Sequence, residues 1–431
     1  MVSGDFIALG GFIALFAMIA LRVPVGIAMG LVGVFGFAAI RGLGPALNLL
    51  ATSPVRVVAD FNLSLVSFFI LMGIFATNSG MSRELFRAGN AWLGAFRGGL
   101  ALSTIAACAG FAAICGSTVA TAATMTKIAL PEMRRFGYED RTATGVIAAG
   151  GTLGILIPPS VVLVVYGYIT ETDVGKLFIA GILPGLLAMA MYMATVLIAH
   201  RKGLPEGQPF RLGDAIRSLS GIWAVLVLFL AIIGAIYLGV ATPTEAAAVG
   251  AFLTMLIGVI RGRLNVKTIV ESLVEALRTS VAVYTILIGA VLFSYFLAIT
   301  QSPQRITNML IGLDFGSYGT LALILGMFVL AGCILDSMAM IILLVPIVFP
   351  VVVQLGFDPI WFGIIIVMTA ELGLITPPVG INVFVINSIA KDVKLTTIFK
   401  GVVPFIVSDI IRLIILVLFP AIILFLPMTM D

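Results

Sequence analysis

The sequence predicts an all-α polytopic membrane protein of about ten transmembrane helices plus two helical hairpins, in two inverted-topology repeats with interfacial amphipathic helices. Three observations support this fold class. Hydrophobic residues make up 61% of the 431 residues, and charged residues only 10%. Apolar runs long enough to cross a hydrocarbon core of ~30 Å recur along the whole chain. Prolines and glycines of the first half recur about 219 positions later.

The first half, residues 1–200, contains apolar runs of helical length and one longer segment with a polar middle. The first run has no positively charged region before it and no small-residue cleavage site, so we interpret it as a retained helix and not as a signal peptide. The predicted helices span about 5–21, 24–40, 62–79 and 176–199, with a hairpin at about 99–131 and a broken helix at about 143–169.

The second half, residues 219–431, follows a polar linker at 201–218 that contains Gly203, Pro205, Gly207 and Pro209. Its predicted helices span about 219–239, 243–260, 280–299 and 402–428, with a hairpin at about 317–350 and a broken helix at about 359–390. Three stretches are too polar to span and predict amphipathic helices in the interface plane, either as connectors or as stiff arms between a static and a moving part: 81–97, 264–279 and 301–314.

The two halves repeat each other, as their proline and glycine positions indicate. A hairpin adds an even number of crossings, so the remaining helices give each half five crossings. Because five is odd, the second half is inverted relative to the first. Inverted repeats are typical of secondary transporters. A shift of 219 pairs Pro24 with Pro243, Pro131 with Pro350, Gly137 with Gly356, Gly154 with Gly373, and Pro158-Pro159 with Pro377-Pro378, and a shift of 220 pairs Gly30 with Gly250, Arg41 with Arg261, Gly181 with Gly401, and Pro184 with Pro404.

The basic residues predict the orientation. Of the 24 Lys and Arg residues, Arg412 falls inside the last helix and only four fall on one side of the predicted topology. The side with the remainder is the cytoplasm, since positive charge accumulates there. Both termini are therefore predicted to be periplasmic, and the net charge of +4 reflects topology without indicating nucleic-acid binding. The four are Arg41, Arg56, Lys176 and Arg305.

Each broken helix contains a Pro-Pro pair, and proline removes a backbone donor and clashes with the preceding turn. Irregular backbone at membrane depth is tolerated only where it is buried in protein or lines a polar cavity. The freed carbonyls and nearby hydroxyls are ligands of the kind that sodium prefers, so the two breaks predict cation sites, unless the prolines only shape packing. The residues concerned are Gly150, Gly151, Thr152, Gly154, Pro158 and Ser160 in the first half, and Gly373, Thr376 and Gly380 in the second.

The hairpin tips are the predicted partners of the breaks. Gly116, Ser117 and Thr118 begin a helical arm, whose N-terminus carries partial positive charge and attracts anions. The second tip holds Asp336 and Ser337 between apolar residues, where an aspartate indicates a cation partner, although helix capping is the alternative and both roles can coexist.

Other polar residues carry weaker indications. Glu371 is a candidate ion ligand or a solvated vestibule residue, and Asn382 either contacts substrate or is a satisfied interior amide. Asp409 and Arg412 predict a structural pair, and residues 242–245 fit a capping box. The buried-looking cysteines and the one histidine, His200 beside two basic residues, provide no metal site or catalytic triad. We therefore expect no enzymatic activity.

Several stretches together resemble the large membrane subunit of tripartite ATP-independent periplasmic (TRAP) transporters, over essentially the whole chain. One departure is Ser67, where the family often has proline, and this leaves the ion and substrate sites unaffected. The stretches are SFFILMG at 67–73, CGSTVATAA at 115–123, GTLGILIPPS at 151–160, PTEAA at 243–247 and LGLITPPVGIN at 372–382.

The resemblance implies an elevator-type, sodium-coupled importer of a small organic anion, with two or more Na⁺ ions and no organic cofactor. It implies sodium at Ser117 with the first break, sodium at Asp336 with the second, and substrate between the tips. The candidate cation ligands are Gly116, Ser117, Thr152, Gly154, Pro158, Asp336, Ser337, Glu371, Gly373 and Thr376, and the candidate substrate contacts are Ser117, Thr118, Ser160, Thr376 and Asn382.

The resemblance also implies partners and a location. We expect a small four-helix membrane subunit as a second chain, a periplasmic substrate-binding protein, and surrounding lipid in the bacterial inner membrane. A stand-alone transporter of the same superfamily is the first alternative. An ATP-driven permease subunit is less consistent, because the Glu-Ala-Ala at 245–247 that resembles its cytoplasmic coupling loop begins an apolar helix here.

Overall fold

The computed structural model describes residues 4–199 and 204–430, and every regular element in them is helical. His200 and its basic neighbours lie outside the described residues. The α-helices are α1 Gly4–Ala20, α2 Val25–Arg41, α3 Leu43–Val58, α4 Ser64–Asn78, α5 Met81–Leu93, α6 Gly99–Cys115, α7 Thr118–Arg135, α8 Asp140–Thr152, α9 Val161–Thr170, α10 Val174–Ala199, α11 Leu212–Tyr237, α12 Pro243–Ile260, α13 Val266–Thr300, α14 Ser302–Gly312, α15 Gly316–Gly332, α16 Ser337–Gln354, α17 Pro359–Ile375, α18 Ile381–Ile389, α19 Leu395–Leu418 and α20 Ala421–Leu424.

Many of these helices are apolar enough for a membrane, which confirms the predicted fold class. Among the described residues, seven helical spans are long and apolar enough to cross a bilayer, and several shorter apolar helices join them. The seven are Phe61–Asn78, Val174–Ala199, Leu212–Tyr237, Pro243–Ile260, Val266–Thr300, Ser337–Gln354 and Leu395–Leu418.

Both predicted hairpins are present. In the first, α6 and α7 are separated by Gly116 and Ser117, and in the second, α15 and α16 are separated by residues 333–336. The second helix of each hairpin, α7 or α16, extends about a turn beyond its predicted end, because Pro131 and Pro350 are accommodated inside these helices. The polar tips therefore lie at the turns, as the sequence indicated.

Both predicted broken helices are present as well. Helix α8 has 13 residues, about 20 Å at 1.5 Å per residue, which is too short to cross the hydrocarbon core. The chain then continues through a 3₁₀ turn and a non-helical segment before α9 begins at Val161. The corresponding break separates α17 from α18, and the Pro158-Pro159 and Pro377-Pro378 bonds are both cis.

The two halves exchange matching contacts. Helix α2 packs on α13 as α12 packs on α4, and α7 packs on α18 as α16 packs on α9. The paired glycines Gly137 and Gly356 both adopt positive φ, 80° and 84°, after the second arm of each hairpin. These matches are what an approximate two-fold relation produces. The boundaries at 1–200, 201–218 and 219–431 stay predictions.

One prediction about the polar stretches needs correction, and one helix lies outside the predicted elements. Residues 264–279 do not form a separate interfacial helix, because they continue into α13, a helix of 35 residues without an internal proline. Uninterrupted hydrogen bonding over about 52 Å carries this helix well beyond a ~30 Å core. In addition, the predicted elements do not include α3, in which Pro45 lies in the first turn, where proline is tolerated, and Pro54 is accommodated inside the helix.

The other two stretches form the short helices α5 and α14, which we call the arms. Each is flanked by left-handed residues: Gly80 and Gly98 around α5, and Gln301 and Asp314 around α14. Such residues turn the chain sharply at the arm ends.

An ion pair holds the first arm to its neighbours. Glu84 of α5 accepts hydrogen bonds from Arg261 Nη1 at 2.6 Å and from Arg263 Nη2 at 3.3 Å. Arg261 also donates to the Gly221 carbonyl of α11 at 3.2 Å and lies 5.4 Å from the centre of the Trp223 ring. The arm is thus fixed to α11 and to the end of α12.

The linker between the halves is bonded to the loop after the first arm. The Gly98 N–H donates to the Pro205 carbonyl at 3.1 Å, and the Gln208 N–H donates to the Gly94 carbonyl at 2.8 Å. Leu204 is buried, and its side chain fills the space beside Gly98. We call residues 204–208 the strap. The strap and the loop after the first arm are therefore held together.

Candidate functional site

One cavity of about 580 Å³ brings both hairpin tips together. This volume is in the range of small-molecule sites. Its walls are the two tips, the first residues of α9 and α18, and one side of α4 and α13. The polar and glycine residues that line it are Gly73, Thr77, Asn78, Gly116, Ser117, Thr118, Thr124, Glu275, Thr279, Asp336 and Ser337.

The first tip lies directly on the first break. Gly116 adopts a φ of +60°, and its missing Cβ would stand 2.7 Å from the Pro159 carbonyl oxygen. A Cβ on Gly154 would stand 2.7 Å from the Ser117 carbonyl. The Ser117 hydroxyl accepts a hydrogen bond from the Ala120 N–H at 3.3 Å and caps α7. The predicted partnership of tip and break is thus present as a backbone contact.

The second tip combines a capping carboxylate with a buried hydroxyl. Asp336 Oδ1 accepts a hydrogen bond from the Ala339 N–H at 3.0 Å, so the capping alternative is confirmed. Asp336 is exposed to the cavity, whereas its apolar neighbours in the sequence predict a buried charge. The reason is that Asp336 lies in the turn between α15 and α16 and not within either packed helix. Ser337 is buried, and its hydroxyl has no hydrogen-bond partner among the described residues.

The second tip also touches its break. A Cβ on Gly373 would stand 2.6 Å from the backbone of Gly332, the last residue of α15. The Thr376 hydroxyl donates to the Leu372 carbonyl at 2.5 Å. The two breaks differ in exposure, since Pro158 and Pro159 are buried whereas Pro377 and Pro378 are exposed. The first break is therefore enclosed by protein, and the second is open on one side.

Three predicted substrate contacts do not line the cavity. Ser160 is buried, and its hydroxyl accepts from the Leu163 N–H at 3.3 Å as the cap of α9. Thr376 is partly exposed beyond the cavity wall. Asn382 is buried and donates to the Ala148 carbonyl of α8 at 3.4 Å, which joins the two broken helices. Only Ser117 and Thr118 of the predicted substrate contacts face the cavity.

Two predicted cation ligands have other partners. The Thr152 hydroxyl donates to the Ala149 carbonyl at 2.7 Å and lies 3.0 Å from the Tyr192 hydroxyl. Glu371 accepts a hydrogen bond from Arg412 Nη2 at 2.9 Å and does not line the cavity, so neither the vestibule alternative nor a ligand position at the tip is supported. The predicted pair of Asp409 and Arg412 is confirmed at 2.9 Å.

Sequence reasoning missed the wall opposite the tips. Thr77 and Asn78 end α4, and Glu275 and Thr279 lie on α13, all at the cavity. Asn78 Nδ2 donates to the Ser272 hydroxyl at 2.8 Å and joins these helices. The spacing of Glu275 and Thr279, one helical turn apart, is the available signal, but the interfacial helix predicted at 264–279 separates them from the spanning helix.

A second cavity of about 880 Å³ lies at the other ends of the same two helices. It is lined by residues 61–65 at the start of α4 and by residues between Leu287 and Ala298 of α13, with Glu171 and Asp173 after α9. The two cavities thus flank α4 and α13 at opposite ends.

An ion-pair network closes the base of the first hairpin. Arg134 near the end of α7 donates to Asp140 at 2.6 Å and to Asp392 at 2.6 Å. The hydrogen bond from Arg134 lowers the pKa of the Asp392 carboxyl from its ordinary value. This contact joins the first hairpin to the loop after α18.

The predicted capping box and the predicted burial of the cysteines are confirmed. Thr242 and Glu245 form a capping box at the start of α12, with Pro243 in the first turn. All three cysteines are free and buried. In the described part of the chain, no group of three or more His, Cys, Asp or Glu residues could hold a metal ion.

Comparison with known sequences identifies related proteins. Residues 12–422 match the profile of the family described as "Tripartite ATP-independent periplasmic transporter, DctM component". The chain is 38% identical over 399 residues to the C4-dicarboxylate TRAP transporter large permease protein DctM of Pseudomonas aeruginosa, covering 90% of this chain and 93% of that protein. It is 34% identical over 407 residues to the isethionate TRAP transporter permease protein DctMQ of Oleidesulfovibrio alaskensis, covering 94% of this chain and 64% of that longer protein.

A solved structure shares the fold. The YdaH transporter of Alcanivorax borkumensis, whose crystal structure was described as having an unusual topology, matches with a TM-score of 0.62. The match covers 88% of this chain and 89% of that chain at 14% identity. At this identity the likeness extends to the fold alone.

Proposed function

Because this chain belongs to the DctM component family of tripartite ATP-independent periplasmic transporters, we propose that it is the subunit that carries a small organic anion across the bacterial inner membrane, driven by sodium. The observation that carries the proposal is the single cavity lined by both hairpin tips, each of which touches a broken helix. This arrangement collects helix ends and irregular backbone inside the protein, where ions and substrates bind in secondary transporters.

The anion is proposed to bind at the first tip. Ser117 and Thr118 line the cavity at the N-terminus of α7, where backbone N–H groups and the helix dipole favour negative charge. The names of two relatives give a C4-dicarboxylate and isethionate as their substrates. Both are small organic anions, one with carboxylates and one with a sulfonate. The proposed class is therefore a small organic anion, with a carboxylate as the first choice.

The sodium ions are proposed to bind between each tip and its break. At the first site the oxygens are those of Ser117 and of the backbone from Thr152 to Pro158, since the Thr152 hydroxyl is engaged elsewhere. At the second site they are those of Asp336, Ser337 and the backbone from Gly373 to Thr376. The buried Ser337 hydroxyl has no hydrogen-bond partner in the described part of the chain, which supports this choice, because such a group is costly unless a ligand satisfies it.

The motion is proposed to be of the elevator type. Helices α4 and α13 border a cavity at each end, and the hairpins and broken helices lie on the other side of both. If the tips move along these two helices, the anion becomes accessible first from one face and then from the other. Sodium and substrate can favour one position only by binding it more tightly.

Two partners are proposed: a small four-helix membrane subunit and a periplasmic substrate-binding protein. The longer relative named DctMQ supports the first, since its extra length leaves room for a fused second component. The family description, tripartite and periplasmic, supports the second. Both termini are proposed to face the periplasm.

The test is uptake into proteoliposomes that contain this chain with its small subunit, with the binding protein added outside. We expect labelled C4-dicarboxylate or another small organic anion to accumulate under an inward sodium gradient, and not under a potassium gradient. Uptake driven by ATP without sodium would contradict the proposal. Sodium-driven uptake that needs no binding protein would favour the stand-alone transporter.

A further inference from the structure

A cluster of polar side chains is buried behind both breaks. It consists of Thr152 on α8, Tyr192 on α10, Glu371 on α17, and Asp409 and Arg412 on α19, and each is at most 2% exposed. We call it the inner cluster. Four helices that carry the breaks or pack against them thus contribute to one polar site inside the protein.

The contacts of the inner cluster are continuous. The Tyr192 hydroxyl donates to Asp409 Oδ2 at 2.9 Å and lies 3.0 Å from the Thr152 hydroxyl. Arg412 Nη2 donates to Glu371 Oε2 at 2.9 Å. The same nitrogen lies 2.9 Å from Asp409 Oδ1, in an ion pair that lacks hydrogen-bond alignment.

The inner cluster reaches both breaks. Thr152 is the last residue of α8 before the first break, and Glu371 lies two residues before Gly373, whose backbone touches the second hairpin. Of the charged residues of the cluster, Glu371 is the one that shares a helix with a proposed cation site, that of the second break.

The inner cluster contains two carboxyl groups and one guanidinium, so its net charge is −1 when both carboxyl groups are ionised. Arg412 is the only basic side chain among the described residues that is buried. Among the described residues, Glu371 Oε1, Arg412 Nε and Arg412 Nη1 have no hydrogen-bond partner. An uncompensated charge in the interior costs several kcal/mol, whereas a cation held nearby lowers that cost, since charges interact strongly where the effective dielectric constant is low.

We propose that the excess negative charge of the inner cluster strengthens sodium binding at the second break, with Glu371 and Asp409 as positioning charges that do not ligate the ion. Glu371 then attracts the cation electrostatically without contacting it, and the hydrogen bond from Arg412 holds the Glu371 carboxylate in position. The inference rests on the proposed sodium coupling and adds to it a role for residues outside the cavity.

The test measures the sodium dependence of uptake by the complete transporter in proteoliposomes. Asp409→Asn keeps the size of the side chain and an acceptor for Tyr192 but removes the excess charge. We expect the sodium concentration for half-maximal uptake to rise about tenfold, with uptake at saturating sodium retained. Glu371→Gln should shift it in the same direction, and it replaces Asp409→Asn if that variant does not assemble.

Tyr192→Phe is the matched control, because it removes the hydroxyl between Thr152 and Asp409 without changing the charge. Its half-saturating sodium concentration should stay within about twofold of the unmodified protein. An equal shift in Tyr192→Phe would assign the effect to packing and overturn the inference. A changed pH profile in Asp409→Asn with unchanged sodium affinity would assign the cluster to a proton and overturn it too.

The failure of the inference and that of the proposed function are distinguishable. If the unmodified transporter shows no sodium dependence, the proposed function fails. If it is sodium-dependent and both charge-neutral variants keep its half-saturating concentration, the inference alone is wrong.

Discussion

Gly154 of the first broken helix contacts Ser117 at the tip of the first hairpin so closely that a Cβ on Gly154 would stand 2.7 Å from the Ser117 carbonyl oxygen. Gly373 meets Gly332 in the same way in the second half. Glycine at both positions lets an irregular backbone approach a helix end without a side chain between them. The proposed cation sites depend on this approach.

Gly154→Ala should separate the first tip from its break. Forcing a methyl group into a packed interior costs roughly 1–3 kcal/mol, so we expect a lower unfolding temperature and a loss of the stabilisation by added sodium. The measurement is thermal unfolding of the purified protein with and without sodium. Gly326→Ala in α15 is the control, since no atom lies within 4 Å of its Cβ position. Equal behaviour of the two variants would contradict the close contact as a requirement.

Asp336→Asn should strongly reduce sodium-dependent uptake at low sodium while assembly stays intact. Asparagine caps a helix about as well as aspartate, so the change removes the charge at the cavity and retains the cap. We expect uptake at low sodium to fall by about tenfold or more. Asp358→Asn is the matched control, because Asp358 caps α17 by accepting from the Trp361 N–H at 2.9 Å and does not line the cavity. Unchanged sodium dependence in Asp336→Asn would refute its assignment as a ligand.

Glu84→Gln should loosen the first arm. The carboxylate is only 15% exposed and pairs with Arg261 at 2.6 Å, and hydrogen bonds between charged groups contribute about 1.5–3 kcal/mol. Thermal unfolding should show a clear loss of stability. Glu271→Gln is the control, since its pair with Lys267 spans 4.0 Å and is exposed, where ion pairs contribute about 0–1 kcal/mol. A larger effect in Glu271→Gln would disprove the anchoring role of Glu84.

Gln208→Pro should open the strap. Proline removes the N–H that donates to the Gly94 carbonyl, so residues 94–98 should exchange their amide hydrogens faster. Hydrogen–deuterium exchange by mass spectrometry measures this, and the transport rate should change with it, because the loop joins the anchored arm to the first hairpin. Gln208→Ala retains the N–H and should resemble the unmodified protein. Unaltered exchange in Gln208→Pro would show that the strap bond does not restrain the loop.

Acidification should weaken the base of the first hairpin. Since Arg134 lowers the pKa of Asp392 in the folded protein, the pair stabilises the protein above the ordinary aspartate pKa of about 3.9 and loses this effect as the pH falls through the folded value. The unfolding temperature should therefore fall more steeply between about pH 5 and about pH 2 in the unmodified protein than in Asp392→Asn. Parallel curves would argue against the pair. Glu132→Gln, which alters an exposed pair of 3.7 Å, is the control.

The helices, hairpins and breaks could be predicted because lipid imposes simple local rules. A chain in lipid must satisfy its own backbone, so length and apolarity place the helices, and paired prolines and glycines place the interruptions. The ends of the helices in the polar stretches are harder to predict from the sequence. Residues 264–279 continue into α13 and α3 forms despite two prolines, because the energetic balance between a connector and a helix depends on tertiary packing.

The sequence by itself determined which residues stand at the tips and at the breaks, since these are local properties of the chain. The tertiary structure decided which of them meet. It exposes Asp336 to the cavity, directs Glu371 to Arg412 on a helix 41 residues away, and places Glu275 opposite the tips. The physical reason is that a buried charge needs a partner, which usually lies on another helix. A single sequence does not give the distances between helices, so it does not identify that partner.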